Sequence, residues 1–449
     1  MLYQSIVTDI KISLFLLGEL IYIKSHTHCR PGTVGNGRIK CGKLNAGSVD
    51  AGNRTGGVLA VISNVFLLCM IESLFDFAIL FHFYLLSGLI ARIFCPFYIP
   101  IITYCLIFQF LYVKMIKKAR EICMNSFKHG KVGEFVDWLD SDENIINVSD
   151  GGIIFSGGRY YWYGQAMRPI GFGLQGTGGQ VTDTGVAMYS SPDLLNWKYE
   201  GIVLSCENDE SSPLYPPMRF ERPKIIYNEK TEKYVLWCHY IKHPGDHTFL
   251  PGGGEALIAT SDKVTGPYKV VNICRPVDDG GMVRDCTLFK DNDGTAYFIY
   301  DRDETFDLAT RCIHIVKLSE DYLSPTNEYR RIDAAYRREA PAVIFRNGYY
   351  YMITSDMTAW EANKAKYFRA KSLLGEWEDM GDPYVGDEGG NSFLSQTTYA
   401  FKLNGDDRYI HMAERHNKEN FLHCSYVWLP IEFDPEDRLF INYYEEWSL

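Results

Sequence analysis

One pattern recurs five times after Gly152, and few folds can accommodate it. A short apolar run, a turn and a Tyr-rich run appear as IIFSGGRYYWYG (Ile153 to Gly164), IIYNEKTEKYVLWCH (Ile225 to His239) and LFKDNDGTAYFIYD (Leu288 to Asp301). They return as VIFRNGYYYMITS (Val343 to Ser355) and TYAFKLNGDDRYIHMAE (Thr398 to Glu414). Each reads as a β-hairpin, because β-branched and aromatic runs flank turns built on Gly, Asn or Asp. A second pair of strands follows each hairpin, at Met188 to Leu204, Ile258 to Val271, Ile315 to Ile332, Tyr367 to Gly381 and Tyr426 to Trp447. Four strands per unit at a period of about 60 residues is the signature of propeller blades. No helical pattern alternates with the strands, which disfavours a parallel α/β fold. The expectation is an all-β, five-bladed β-propeller.

In a propeller the innermost strands line a channel, so residues just ahead of them converge at one mouth. Those positions hold Asp150 (VSDGGII), Glu221 (FERPKII), Asp285 (VRDCTLF), Glu339 (REAPAVI) and Gln396 (SQTTYAF), each 10 to 13 residues before the Tyr of the next strand. The register is nearly constant, and four of the five are carboxylates. One such acid is explained by channel water or a strand start; four in register point to a site. Crowded carboxylates on a low-dielectric axis push some pKa values up, while the adjoining Arg222, Arg284 and Arg338 pull others down. Separated pKa values are what paired acid and base chemistry needs. Two carboxyl groups across a pocket with Trp and Tyr suit glycoside hydrolysis, in which one protonates the leaving oxygen and another activates water.

Residues 147–449 resemble a glycoside hydrolase family 43 protein. The runs FERPKIIYNEKTEKYVLW, VRDCTLFKDNDGTAYFIY, REAPAVIFRNGYYYMITS, TAWEANKAKYFRA and SYVWLPIEFD are similar to its exo-1,3-β-galactanase-like branch. The resemblance implies an inverting enzyme with Glu339 as general acid and Asp285 as the acid that tunes and orients it. Asp150 aligns with the family's general base. In the galactanase-like branch a His-containing run replaces that Asp, and an amide matching Gln396 is implicated instead. This chain carries both, and Asp150 is favoured because a carboxylate accepts a proton from water far more readily than an amide. Glu221 and Arg222 resemble the branch's substrate-holding pair, and Trp360 and Trp162 are candidates to stack on a sugar face. The implied substrate is an oligo- or polysaccharide, most simply a terminal galactose on β-1,3-linked galactan. An α-L-arabinofuranosidase or β-xylosidase of the same family and a non-catalytic carbohydrate-binding propeller are the alternatives. No cofactor or metal is expected: calcium occupies the axis in parts of the family, but Gln396 stands where a His often helps hold it.

Other signals carry less. His239, His243 and His247 are four apart, yet Pro244 and Gly245 break any helix that would gather them on a metal. Asp291 to Gly294 resembles the start of a calcium loop but reads fully as a hairpin turn. The Gly-rich stretch Gly171 to Gly185 lacks the Lys-Ser/Thr of a phosphate loop and is assigned to the pocket rim. Trp197, Trp377 and Trp447 recur at outer-strand positions and read as core.

The chain is divided in charge as well as pattern. Residues 1–130 carry a net charge of +7 and no Trp, against −18 and all eight Trp in residues 131–449, which places a boundary near Gly130. The overall net charge of −11 argues against a nucleic-acid partner and suits a neutral substrate. The first part is a hydrophobic N-terminal extension in which Ile93 to Val113 runs 21 residues without a charge, long enough to cross a bilayer, although Pro96 and Pro100 interrupt it. A membrane contact is expected only through this extension. It reads equally as sequence upstream of a soluble enzyme. Lys114 to Arg120 follow it, the six cysteines after Gly130 form no close CxxC pair, and a glycan on the sequon Asn147-Val148-Ser149 would crowd the proposed mouth. Together these lean towards a cytoplasmic or cytoplasm-facing catalytic domain.

Overall fold

The computed structural model describes residues 126–167, 185–216, 218–242, 254–277, 281–303, 311–332, 337–358 and 361–449. A two-residue strand, β1 (Phe127–Lys128), precedes the first blade, which is β2 (Ser149–Ser156), β3 (Arg159–Gln165), β4 (Gly185–Ser191) and β5 (Lys198–Ser205). Blade 2 is β6 (Arg219–Asn228), β7 (Lys233–Ile241), β8 (Glu255–Ser261) and β9 (Lys269–Cys274). Blade 3 is β10 (Met282–Lys290), β11 (Ala296–Asp303), β12 (Cys312–Leu318) and β13 (Pro325–Ile332). Blade 4 is β14 (Arg338–Arg346), β15 (Tyr349–Asp356), β16 (Lys366–Ala370) and β17 (Glu378–Gly381). A short β18 (Tyr384–Val385) leads to blade 5, formed by β19 (Gln396–Lys402), β20 (Tyr409–Arg415), β21 (Ser425–Phe433) and β22 (Leu439–Asn442), and β23 (Glu446–Trp447) ends the chain. Blades 1 to 4 are antiparallel meanders; β18 adds to blade 5 in parallel beside β22.

Alternation within each strand decides how the blades stack, since successive side chains point to opposite faces. In β3, Tyr160 and Trp162 face one neighbour and Tyr161 and Tyr163 the other. Every blade is thus apolar on both faces. Five buried clusters result, one for each interface between blades 5 and 1, 1 and 2, 2 and 3, 3 and 4, and 4 and 5. The innermost strands β2, β6, β10, β14 and β19 each touch the next, and β19 touches β2 to close the ring. The β2–β3 hairpin turns through two positive-φ residues, Gly157 and Gly158, as a two-residue turn of this twist requires. Asp291 to Gly294 is the corresponding hairpin turn of blade 3, closed by Asp291 N–H to Thr295 O at 2.8 Å.

The seam between blades 5 and 1 joins the two ends of the described chain. Phe127, 1% exposed, packs its ring 4.7 Å from that of Trp447 and 5.8 Å from that of Trp138, and β1 pairs with β23. The packed domain therefore takes in residues from 126 onward. The Ile93 to Val113 run lies outside the described residues, and among the described residues no helix is long and apolar enough to cross a membrane. Truncating Phe127→Ala is expected to cost about 3–5 kcal/mol, as for other fully buried Phe residues. Urea unfolding monitored by tryptophan fluorescence measures it; a loss below about 1 kcal/mol would show that the seam does not depend on this ring.

Candidate active site

Near its start, each inner strand carries one residue more than its partner strand. Register is lost between Ser149 and Gly152, Glu221 and Lys224, Val283 and Cys286, Glu339 and Ala342, and Thr397 and Tyr399. Such bulges bend the strand and re-aim side chains. Asp150, Arg222 and Ala340, first of the two bulged residues in blades 1, 2 and 4, have φ of 54°, 50° and 53°. For residues with a Cβ this left-handed geometry costs roughly 1–2 kcal/mol each. Gly151 has no alternative, because a Cβ there would lie 1.6 Å from Tyr163 O. The bulges also correct the constant register read from sequence. Asp150 is the first bulged residue of its blade and Asp285 the second, whereas Glu221 and Glu339 are the paired residues just before the bulge.

Despite that offset, the side chains meet around Arg222. Its guanidinium lies 3.4 Å from Asp150 Oδ1 and 2.9 Å from Asp285 Oδ2, and it donates to Gln396 Oε1 at 2.9 Å and Thr397 O at 3.0 Å. One cation thus links blades 1, 2, 3 and 5. Gln396 Nε2 donates to Glu339 Oε1 at 3.1 Å and to Ser355 Oγ at 2.9 Å. On the other oxygen of Glu339 stands Arg311, 3.5 Å away, which is also paired to the fully buried Asp301. Glu221 stands beside the group, its Oε2 3.1 Å from His239 Nδ1. The side chains of Asp285, Glu221 and Glu339 are 16%, 13% and 11% exposed and that of Asp150 only 3%, so solvent reaches the first three more than the fourth.

Burial and neighbouring charge separate these acids. Burial, reinforced by the Asp285 charge, raises the Glu339 carboxyl to about 8, against the opposing pull of Arg311 and Arg222. Burial also acts to raise Glu221, but the hydrogen bond and charge of His239, with Arg219 and Arg222, outweigh it and bring that carboxyl down to about 2. At neutral pH Glu339 therefore holds a proton and Glu221 does not. Arg222 is held cationic: burial disfavours its charge, and Asp150, Asp285 and Glu339 more than restore it.

A pocket of about 160 Å³ opens beside this group, lined by Gln396, Glu414 and His416 with Phe135, Leu394 and Glu361. The opposite ends of the inner strands line a wider cavity of about 1140 Å³, which carries none of the acids just described. Asp150, Glu414 and His416 bring one ligand atom each within 4.8 Å of one another. This trio does not suit calcium, which takes about six to eight oxygen ligands. Arg222 already faces Asp150, and burial followed by the Asp150 charge raises Glu414 to about 8, towards its neutral form.

A model of glycosyl hydrolases family 43 matches residues 145–429. The chain belongs to that family. A solved family 43 β-1,3-galactosidase with galactodeoxynojirimycin is 34% identical, with 72% of this chain and 100% of that one covered and a TM-score of 0.65. The exo-β-1,3-galactanase of Phanerochaete chrysosporium with β-1,3-galactotriose is 26% identical over 72% of this chain and 68% of that one, at a TM-score of 0.61. A curated relative, a β-D-galactofuranosidase of Aspergillus niger, is 27% identical over 237 residues, which are 49% of this chain and 63% of the relative. The chain thus spans less than two thirds of that relative's length.

Within this family 43 propeller, the structure gathers Asp150, Arg222, Asp285, Glu339 and Gln396 and sets Glu221 next to them. Trp162 is not among them. It is 1% exposed, between Trp197, Tyr426 and Trp428 in the seam of blades 5 and 1, so the stacking role read for it is corrected to a core role. Trp360, His243, His247 and 171–184 of the Gly-rich stretch lie outside the described residues. Asn147 of the sequon donates through Nδ2 to Met167 O at 2.8 Å and accepts from Met167 N–H at 2.7 Å. The sequence reading missed Lys224, Arg311, Glu414 and His416. Glu414 ends the hairpin run of blade 5, and strand direction alone puts that residue beside the start of β19; this was the available signal.

Arg222→Met removes the common partner of two acids. Leaving the buried Asp150 carboxylate unpaired is expected to cost about 3–5 kcal/mol, measured by chemical denaturation. A variant as stable as wild type would mean that Asp150 is compensated elsewhere.

Proposed function

We propose that this family 43 propeller is an exo-acting, inverting glycosidase that releases terminal galactose from β-1,3-linked galactan or its oligosaccharides. The observation that carries the reading is Glu339: a carboxyl that keeps its proton up to about pH 8, beside a charged acid at the channel mouth. A group in that state can donate to the oxygen leaving the sugar. Burial, reinforced by the Asp285 charge, keeps Glu339 protonated, and Gln396 and Arg311 fix the position of the Glu339 carboxyl. Asp150 is assigned the base that takes a proton from the attacking water. Gln396 is less suited to that step, because Arg222 already occupies its oxygen and its amide N–H groups serve Glu339 and Ser355. Glu221, ionised and aimed at the mouth, is assigned with Arg222 to the sugar hydroxyls. Inversion requires roughly 6.5–9.5 Å between the Asp150 and Glu339 carboxyl groups, room for the water.

The galactoside reading is supported by the β-1,3-galactosidase and the exo-β-1,3-galactanase as similar structures. A furanoside reading draws on the β-D-galactofuranosidase relative. A panel of aryl β-galactopyranosides, β-galactofuranosides, arabinosides and xylosides, with β-1,3-galactobiose, separates them. Release from none of these would leave a sugar-binding propeller without turnover.

The pH dependence follows from the direction of the Glu339 shift. The carboxyl donates only while protonated, so kcat/KM is expected to fall as pH rises through about 8. Glu339→Gln should lower turnover of β-1,3-galactobiose by about 10²–10⁴-fold, the usual worth of a general acid. Its effect on a dinitrophenyl galactoside, whose leaving group needs no proton, should be far smaller. Equal losses on both substrates would remove Glu339 from the acid role.

A further inference from the structure

The peptide of Asp150 is gripped at both ends by buried ionisable side chains from the two adjoining blades. On the amide side, Asp150 N–H donates to Glu414 Oε2 at 3.0 Å, and the neighbouring Ser149 Oγ donates to Glu414 Oε1 at 2.8 Å. On the carbonyl side, Lys224 Nζ donates to Asp150 O at 2.9 Å. The same ammonium reaches Arg222 O at 3.4 Å and lies 6.0 Å from the centre of the Tyr399 ring. Glu414 comes from β20 of blade 5 and Lys224 from β6 of blade 2, and each is 1% exposed. Asp150 and Arg222, whose backbone these groups hold, are two of the residues with left-handed φ.

We propose that Lys224 and Glu414 are positioning residues for the reaction, a clamp that holds the two bulged peptides so that the Asp150 carboxylate and the Arg222 guanidinium face each other. The physical argument is one of cost. A left-handed residue with a side chain is strained by roughly 1–2 kcal/mol, and it persists only where its surroundings over-determine it. Burying a lysine with no carboxylate in contact is costly too, since an isolated buried ammonium is disfavoured. Here burial, the largest influence on it, brings Lys224 down to about 7. A neutral methionine of similar length would fill the space at less electrostatic cost. What methionine lacks is the donor to the carbonyls of Asp150 and Arg222, two residues without a partner in the strand register. Cys286 Sγ also approaches Arg222 O, at 3.6 Å, so that carbonyl is served from blade 3 as well; Asp150 O accepts from the ammonium at 2.9 Å. Lys224 is thus the half of the clamp that comes from blade 2 and Glu414 the half that crosses the ring seam.

The proposal rests on Asp150 as base, and its test separates the two. Kinetics on an aryl galactoside and a crystal structure are obtained for Lys224→Met, with Glu414→Ala as the second variant should the first not fold. The expected result is a kcat lower by roughly 10- to 100-fold with KM within about threefold of wild type, because small misplacements of a reacting group act on turnover rather than binding. The crystal structure should show the Asp150 carboxylate displaced from Arg222. Adding Lys224→Met to Asp150→Asn should cause no further loss, as expected for residues acting as one unit. An unmoved Asp150, a kcat within about twofold of wild type, or a change confined to KM each overturns the clamp. Full activity of Asp150→Asn would instead overturn Asp150 as base, with the displacement in the crystal still deciding whether Lys224 holds it.

Discussion

The active mouth depends on a single buried cation. A ring of inner strands brings Asp150, Asp285 and Glu339 together on the axis, and carboxylates gathered away from water cannot all stay ionised. Arg222 settles which do. Its planar fork serves Asp150 and Asp285 with different nitrogens while donating to Gln396 and Thr397, so two charges are compensated at once. Glu339 makes no contact with this fork; it meets Arg222 only through the Gln396 amide and as a more distant charge. It has Arg311 at 3.5 Å, but that guanidinium is shared with the buried Asp301. Buried, beside the Asp285 charge and off the Arg222 fork, Glu339 keeps its proton. The state proposed for the proton donor follows from its burial and the Asp285 charge, set against the pull of Arg311 and Arg222.

The fold was legible in the sequence because its signals are local. Five hairpins and five outer pairs follow from alternation and turn residues within about 20 positions of one another, and the strands form where those runs lie. The site was half legible. Asp150, Asp285, Glu339 and Gln396 were marked by position ahead of an apolar run, which survives whatever the fine register. Their true offsets were not visible, since a bulge adds a residue without breaking the alternation on either side of it. Lys224 and Glu414 were missed for another reason: their partner Asp150 is 74 and 264 residues away, across a blade interface that no local pattern encodes. Trp162 was misread because an aromatic residue near the axis was weighed without its parity. It shares a face with Tyr160, and both faces of a second strand are consumed by neighbouring blades. In this architecture the starts of the inner strands and the loops beyond them are what reach the acidic mouth.

Ring closure and chemistry share one seam. Blades 1 and 5 are the pair farthest apart along the chain, so their contact carries the largest loop-closure cost, and a dense aromatic cluster of Phe127, Trp138, Trp162, Trp197, Tyr426 and Trp428 offsets it. Across this same seam Glu414 accepts from Ser149 and Asp150, and Tyr426 Oη accepts from Val148 N–H at 3.0 Å. The strained peptide of Asp150 therefore takes its geometry from both sides: from Lys224 of blade 2, and from an interface with blade 5 that exists only when the ring is shut. An open ring would free Asp150 from Glu414 and leave it to Lys224 on the carbonyl side, while Arg222, Asp285 and Glu339 would keep the contacts they make among blades 2, 3 and 4. The proposed acid, Glu339, thus stands in the body of the propeller, and the proposed base, Asp150, at its closure. On the roles proposed for these two residues, local opening at this seam would disturb the group that activates water before the group that protonates the leaving oxygen.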